Sequence, residues 1–349
     1  MEFDPESGRM KCRFCGDTEA ISSPAAAKAE RHPLAEAIAL GAKHASSISA
    51  QAIQASCDGC GSAVVFEPPE VAENCPFCGA AIVAEPKAAD PLIAPDAVLP
   101  VKVTKSAAQA EVRQWLATRW FAPAALKRIA EPEGIGGLYL PFWTYAADTV
   151  SQYVGERGEH YFDTETYTEN DSNGNPVQRE RQVQRTRWNS ASGQVSRDFD
   201  NLLIPATKAV NERRLDALEP WDLEALSPYE PAYLAGFKAQ RYQVELADGF
   251  EKAKQVMGAQ IQELVRKDIG GDEQRIERIQ TEYSAETFRH LLLPVWIGAY
   301  RLQGRVYQVL VNARTGEVQG ERPYSAIKIT LLSAAILLVM IVLWLLAHR

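Results

Sequence analysis

The sequence contains Cys57-Asp58-Gly59-Cys60 and, after fourteen intervening residues, Cys75-Pro76-Phe77-Cys78, two cysteine pairs with the same CxxC spacing. Zinc takes four ligands at the corners of a tetrahedron, and one CxxC turn supplies two thiolates from a single tight loop. Two such loops joined by a short hairpin make a zinc ribbon. The pattern predicts a ribbon over residues 54–84 that binds Zn²⁺ through Cys57, Cys60, Cys75 and Cys78.

Two structural disulfides are the alternative for these four cysteines. Disulfides persist in oxidising compartments and are typical of small, cysteine-dense domains. This chain has 349 residues and only six cysteines. Its composition therefore favours zinc over disulfides.

The remaining pair, Cys12 and Cys15, lies in a stretch that repeats half of the ribbon. Residues 1–16 align without a gap on residues 64–79, with both cysteines, a phenylalanine, a proline and the closing glycine in register. We therefore expect residues 1–20 to be the second half of another ribbon, with Cys12 and Cys15 as two of its metal ligands.

The first half of that second ribbon would fall upstream of Met1, so the sequence predicts a misassigned or truncated start. In the alternative, Cys12 and Cys15 complete a site with His32 or His44. Both histidines lie in an Ala-rich stretch whose spacing matches no zinc ribbon.

Residues 329–347 are apolar except for Thr330 and Ser333. At about 1.5 Å per residue a helix of this length measures roughly 28 Å, close to the thickness of a bilayer core. The alternative, a buried helix of a soluble domain, usually has a polar face. We predict a transmembrane helix over 327–347, a tail anchor, and a single-pass cell-membrane protein whose bulk is cytoplasmic, where zinc-binding thiols stay reduced.

Between ribbon and anchor, the order strand, helix, Leu-Pro-x-Trp, strands occurs twice. This order predicts an α+β fold in which a duplicated strand-helix-strand domain occupies residues 98–323. Ala-rich and Pro-punctuated stretches at 21–53 and 85–97 are expected to be linkers, the first with a helix. The predicted elements are strands at Leu99–Val103 and Arg241–Leu246, and helices at Lys105–Trp120, capped by Thr104, and Phe250–Lys267, capped by Asp248.

The two Leu-Pro-x-Trp motifs, at Leu140–Trp143 and Leu293–Trp296, are predicted to be structural. Because proline cannot donate to a central ladder, each is expected at a strand start or an edge, with its tryptophan in the core. Residues 306–318 predict a hairpin that turns at 312–316, and alternation around 173–176 predicts a hairpin near 159–188 that projects from the domain.

Composition and motifs exclude several function classes. The formal net charge is −8 and the pI about 5.4, and there is no Lys or Arg between Cys57 and Cys78. Nucleic-acid binding, which depends on Lys and Arg at phosphates, is disfavoured. The sequence has no GxxxxGK[ST] loop, HExxH or GxSxG motif, so we expect no enzymatic activity.

Several longer motifs resemble a bacterial family of membrane proteins with transcription-factor-IIB-type zinc ribbons, often labelled primosomal replication factor Y or superfamily II helicase. The motifs are Pro220–Leu223, Tyr229, Tyr233–Phe237, Asp268–Ile276, Leu293–Trp296, Val311-Asn312 and Thr315-Gly316. The missing nucleotide-binding motif excludes helicase activity. The resemblance implies an adaptor for stomatin/flotillin-like and phage-shock-protein-A-like proteins in the membrane-stress response.

The leading hypothesis is a non-enzymatic, tail-anchored adaptor that presents zinc ribbons to cytoplasmic or membrane-associated proteins. The alternative is a membrane-tethered nucleic-acid-binding ribbon. An enzyme ranks third, because the sequence shows no nucleophile paired with a base.

Overall fold

A computed structural model describes residues 1–21, 30–40, 53–60, 62–66, 72–83, 87–88, 93–118, 135–170, 175–302, 305–321 and 326–347. The linkers predicted at 21–53 and 85–97 lie largely outside these residues. The described part of the first one contains a short helix. The strands and helices are β1 (Glu2–Asp4), β2 (Arg9–Lys11), β3 (Thr18–Glu19), β4 (His32–Pro33), α1 (Leu34–Leu40), β5 (Ile53–Ser56), β6 (Ala63–Phe66), β7 (Ala72–Asn74), β8 (Ala81–Val83), β9 (Lys87–Ala88), β10 (Ala97–Val98), α2 (Lys105–Ala117), β11 (Gly136–Asn170), β12 (Pro176–Pro205), α3 (Glu212–Asp216), β13 (Ser227–Pro228), β14 (Lys238–Gln240), α4 (Leu246–Ile269), β15 (Glu273–Leu302), β16 (Arg305–Asn312), β17 (Val318–Gly320) and α5 (Ala326–Ala347).

The fold is dominated by one largely antiparallel sheet rather than by two strand-helix-strand units. Its path runs β13-β10-β15-β11-β14-β6-β5-β9, with β12 on β11, β16 and β17 beyond β15, and β4 on β15. The predicted α+β class is therefore wrong. The physical reason is that three apolar or alternating stretches, β11, β12 and β15, each continue as one very long strand instead of ending at a turn.

The two Leu-Pro-x-Trp motifs pair with each other at the centre of this sheet. Leu140 lies opposite Leu293 in the antiparallel ladder of β11 and β15, and each motif's proline lies beside the partner motif. Both leucines are fully buried. The middle of the sheet is thus covered on both faces, which explains why these segments read as continuous apolar runs.

Both prolines lie inside strands, so the predicted strand starts or edges are wrong. Pro141 lies where the second neighbour of β11 changes from β14, which pairs at Leu138 and Tyr139, to β12, which pairs from Phe142 onward. Pro294 lies at the matching point of β15, between its pairing with β10 and with β16. A missing N–H costs little where the neighbouring strand changes, because no ladder bond is due there.

The tryptophans of the two motifs fill the core, as predicted, and each holds a loop in front of a helix. Trp143 is fully buried and donates to the carbonyl of Val244 at 2.9 Å, just before α4. Trp296 is 7% exposed and donates to the carbonyl of Val103 at 2.8 Å, just before α2. The motif therefore fixes where each helix leaves the sheet.

The helices were predicted better than the strands that precede them. Thr104 caps α2 by accepting from the backbone N–H of Ala107, as expected. The strand expected at Arg241–Leu246 is not formed, because α4 already begins at Leu246 and the strand before it is β14. The predicted Asp248 cap is wrong, since Asp248 lies in the first turn of α4.

Beyond the core, β11, β12 and β15 continue as a long three-stranded arm. One face of its first part packs on α4 through a stripe that includes Phe250, Met257 and Ile261. The β15 ladder ends at the pair Gly158–Glu273, while β11 and β12 stay paired as far as Asn170 and Pro176. Residues 159–170 and 176–187 therefore form a bare two-stranded hairpin.

The expected membrane anchor is corrected. Over the residues that the structure describes, no helix is both long enough and apolar enough to cross a bilayer. In α5 the unbroken run of described side chains is 332–347, about 24 Å at 1.5 Å per residue, short of a core of about 30 Å. The transmembrane helix at 327–347, the tail anchor and the single-pass cell-membrane location are therefore not retained.

Candidate metal centre

The cysteine pairs of the ribbon lie at the ends of two short hairpin loops. In the second loop the N–H of Cys75 donates to the carbonyl of Ala80 at 2.7 Å, and the N–H of Gly79 donates back to Cys75 at 2.8 Å. Gly79 has φ +70°, which glycine adopts without steric cost. In the first loop the N–H of Cys57 donates to the carbonyl of Ser62 at 2.9 Å. The predicted CxxC turns are therefore formed.

The four thiols converge on one point. All four sulfurs lie within 4.8 Å of one another, and all are free. The shortest approaches each join one cysteine of either loop, Cys57 to Cys78 at 3.5 Å and Cys60 to Cys75 at 3.6 Å. These separations are far longer than the ~2 Å of a disulfide, so the cluster is a thiol site that can hold a metal ion.

The centre is seated in the core of the protein and is not a separate domain. Cys57, Cys75 and Cys78 are 2–3% exposed and share one apolar cluster with Leu140 and Leu293 of the central ladder. The ribbon strand β6 also pairs with β14, so the ribbon hairpin extends the main sheet. A change at the metal centre therefore reaches the middle of the fold.

The thiols of the cluster have unequal pKa values. Burial raises the pKa of Cys75 and, to a smaller extent, that of Cys78. The pKa of Cys60 is lowered: burial opposes this shift, but hydrogen bonds from the side chain and backbone of Ser62 outweigh it. A bound cation would reverse the effect of burial, because it stabilises thiolates directly.

Cys12 and Cys15 do not join this centre. They lie in a separate three-stranded sheet, β1-β2-β3, and the described residues contain no other convergent group of His, Cys, Asp or Glu ligands than the four cysteines above. His32 is engaged elsewhere, since its Nε2 lies 2.7 Å from Asp96 Oδ1. His44 lies outside the described residues.

Two residues that support the centre were not found from the sequence. The hydroxyl of Ser62 lies 3.3 Å from the Cys60 sulfur, and Gln308 donates to the carbonyl of Phe77 at 2.9 Å. Ser62 follows directly on the CxxCG turn and was accessible to a closer analysis of that motif. Gln308 was not, because it is 231 residues away in sequence and reaches Phe77 only through the packing of β16.

Comparison with known proteins gives one match and two negative results. No family model matches the chain, and no solved structure matches it. It is 26% identical over 241 residues to the Bacillus subtilis protein named "Uncharacterized protein YdjG". The match covers 68% of this chain and 66% of that protein, slightly under two thirds of its length. This identity assigns the chain to no family, so the zinc-ribbon resemblance stays a prediction.

Proposed function

We propose that the metal at Cys57, Cys60, Cys75 and Cys78 is Zn²⁺ and that its role is structural. Zinc–thiolate bonds of about 2.3 Å in a tetrahedron separate the sulfurs by about 3.8 Å. The 3.5 and 3.6 Å cross-loop distances need only a slight expansion to reach this value. Four protein ligands leave no open position for substrate or water, which is typical of structural sites.

The metal content of the purified chain tests this assignment. We expect one zinc ion bound through these four residues, and Co²⁺ in its place to give the intense visible absorption of a tetrahedral thiolate complex. Iron with the absorption of a sulfur-ligated iron site, or no metal under reducing conditions, would contradict it.

We propose further that the protein is a non-enzymatic scaffold that binds protein partners through its arm. The observation that carries this proposal is the bare hairpin 159–170/176–187, which extends β11 and β12 by about 40 Å beyond the end of β15, at about 3.3 Å per residue. Both faces and both edges of this hairpin are open. A sheet edge with unpaired backbone groups is a template for an added strand.

The two faces of the hairpin differ in charge. On one face Glu165 pairs with Arg181 at 3.0 Å and with Arg185 at 2.6 Å, and Glu169 pairs with Arg179 at 3.1 Å. These arginines are therefore neutralised by carboxylates, which speaks against a phosphate-binding surface. The opposite face carries threonines and glutamines with Phe162, which is 68% exposed. This uncharged face suits a protein surface better than a nucleic acid.

The resemblance to the zinc-ribbon membrane family points to stomatin/flotillin-like proteins as the class of partner. In this proposal the zinc ribbon stiffens the sheet at the root of the arm. It does not itself present the binding surface, because its cysteines and Phe77 are buried in the core.

A shortened arm tests the scaffold function. Removing 163–168 together with 178–183 deletes six cross-strand pairs in register, so the pair Phe162–Gln184 is followed by Glu169–Val177 and the faces are preserved. We expect a stomatin/flotillin-like protein to be captured by the full chain from a nuclease-treated extract and to be lost by this variant, with zinc content unchanged.

Two single-face variants sharpen the result. Phe162→Ser on the uncharged face should weaken capture, whereas the charge exchange Glu169→Arg with Arg179→Glu keeps an ion pair on the other face and should not. Equal capture by the full and shortened chains would overturn the arm as the binding element. Capture that depends on intact nucleic acid would favour the nucleic-acid alternative.

A further inference from the structure

The N-terminal loop Cys12-Arg13-Phe14-Cys15 has the backbone of a metal-binding knuckle. The N–H of Cys12 donates to the carbonyl of Asp17 at 2.9 Å, and the N–H of Gly16 donates to Cys12 at 3.0 Å. The same two bonds occur at the matching positions of the ribbon, from Cys75 and Gly79. Both glycines have positive φ, +76° at Gly16 and +70° at Gly79.

The donors to sulfur are also the same. Backbone N–H groups of Phe14 and Cys15 are hydrogen-bonded to the sulfur of Cys12, just as those of Phe77 and Cys78 are to the sulfur of Cys75. Amides that point at a sulfur stabilise it as a thiolate, the form that binds a metal ion. The N-terminal loop is thus prepared as one half of a thiolate site.

What the N-terminal loop lacks is a cover. Phe14 is 99% exposed, whereas Phe77, at the same position of the ribbon loop, is 1% exposed. Cys15 is exposed, whereas its counterpart Cys78 is buried. A fully exposed phenylalanine at the tip of a rigid loop indicates a contact surface that one chain leaves open.

The N-terminal sheet cannot close this site by moving freely, because it is fixed to the body. The N–H of Phe3 donates to the carbonyl of Ala235 at 3.0 Å, and its ring packs on Tyr233 with centroids 5.5 Å apart. Arg13 forms an ion pair with Glu2 of the same sheet. No third ligand converges on Cys12 and Cys15 among the residues that the structure describes.

We propose that the Cys12–Cys15 loops of two copies of this chain bind one zinc ion between them and join the copies as a dimer. The ribbon shows the required arrangement: across its centre the first cysteine of either loop lies beside the second cysteine of the other. A two-fold axis through the metal gives the same arrangement with two identical loops. The two Phe14 rings then lie at the contact and leave water.

Charge around the loop fits this site. Zinc with four thiolates carries a net charge of about −2. Lys11 and Arg13 flank Cys12, so two copies bring four basic residues to the cluster. The ribbon has no Lys or Arg between its outermost cysteines and relies on burial in the core instead. The dimer site is therefore predicted to be the more accessible of the two to chelators.

Native mass spectrometry of the full chain, purified with zinc and a phosphine reductant, tests the proposal. The expected species is a dimer with three zinc ions, one in each ribbon and one shared. The variant Cys12→Ser/Cys15→Ser should be a monomer with one zinc ion and an unchanged melting temperature of the body.

A matched control separates this site from the ribbon. Cys60→Ser changes the one exposed ribbon ligand and should lower the zinc count while leaving the dimer intact. A wild-type monomer, with either one or two zinc ions, would overturn the proposal. So would a dimer that survives in the double variant, since another surface then joins the copies, or a dimer that only reductant dissolves, since that is a disulfide.

Discussion

The two loops Cys12–Cys15 and Cys75–Cys78 have the same spacing, the same backbone hydrogen bonds and the same positive-φ glycine, yet different surroundings. Phe77 is buried against the central sheet, and Phe14 points into solvent. Local sequence therefore determines the shape of a knuckle, but the packing around it determines whether it is a completed metal site. The following predictions test that division, from the largest expected effect to the smallest.

Cys75→Ser should have the largest effect, because it removes a metal ligand inside the core. Structural zinc contributes on the order of 10 kcal/mol to folding, comparable with the whole stability of a domain. We expect loss of zinc together with a melting temperature of the entire body lowered by more than ~10 °C, or no cooperative unfolding at all. Cys12→Ser, in contrast, should leave the unfolding of the body unchanged by calorimetry. If Cys75→Ser unfolded only the ribbon, the shared core would be disproved.

Replacing the phenylalanine of each loop compares burial directly. Phe77→Ala empties a site in the same cluster as Leu140 and should cost about 3–5 kcal/mol. Phe14→Ala removes an exposed ring and should change the unfolding free energy of the body by less than about 0.5 kcal/mol. Urea unfolding monitored by circular dichroism measures both. Equal costs would mean that the N-terminal sheet is covered in the folded chain.

Acid should destabilise the core that carries the ribbon. Burial lowers the pKa of His290 to about 4 from its ordinary 6.5. The unfolded chain binds this proton more tightly than the folded one, so stability is present above pH 6.5 and is lost as the pH falls toward 4. We expect a loss of about 2 kcal/mol between pH 7 and pH 5.

His290→Asn is the control for this pH effect, because its amide can keep the 2.9 Å bond that His290 Nδ1 makes with the carbonyl of Ile93. Groups common to both proteins, including the thiols, cancel in the difference between their pH profiles. Denaturant unfolding of both proteins at pH 7, 6 and 5 measures this difference. Parallel profiles would contradict the role of His290.

Gly16→Ala and Gly79→Ala should have the smallest effects, and these should be equal. A Cβ at either position meets no atom within 4 Å, so the cost comes only from the positive φ and amounts to about 1 kcal/mol. Amide exchange at Cys12 and Cys75 should quicken about fivefold in the respective variants. A much larger effect at Gly79 would show that local conformation and core packing are not separable there.

Much of the local structure was predictable from the sequence. The four cysteines of the centre converge as their spacing indicates. Thr104 caps α2, and β16 and β17 form the hairpin that turns between Asn312 and Val318. Each of these features depends on residues close together in sequence, where the backbone restricts the possible contacts.

The strand order was not predictable, and the prolines show why. The rule that proline favours edges misplaced Pro141 and Pro294, because each fills a point where one neighbouring strand replaces another. That point exists only once β14, β12, β10 and β16 have assembled around the central pair. The length of the arm was missed for a similar reason, since its alternating strands continue only because they are paired along their whole length.

The sequence by itself therefore determined the three CxxC loops, the ligand set of the metal centre and the starts of the main helices, because contacts over a few residues follow from spacing and backbone geometry. Only the tertiary structure decided that Phe77 is buried and Phe14 exposed, that the ribbon belongs to the main core, and that the two Leu-Pro-x-Trp motifs pair. These outcomes depend on which distant surfaces exclude water together, and that is a property of the assembled sheet.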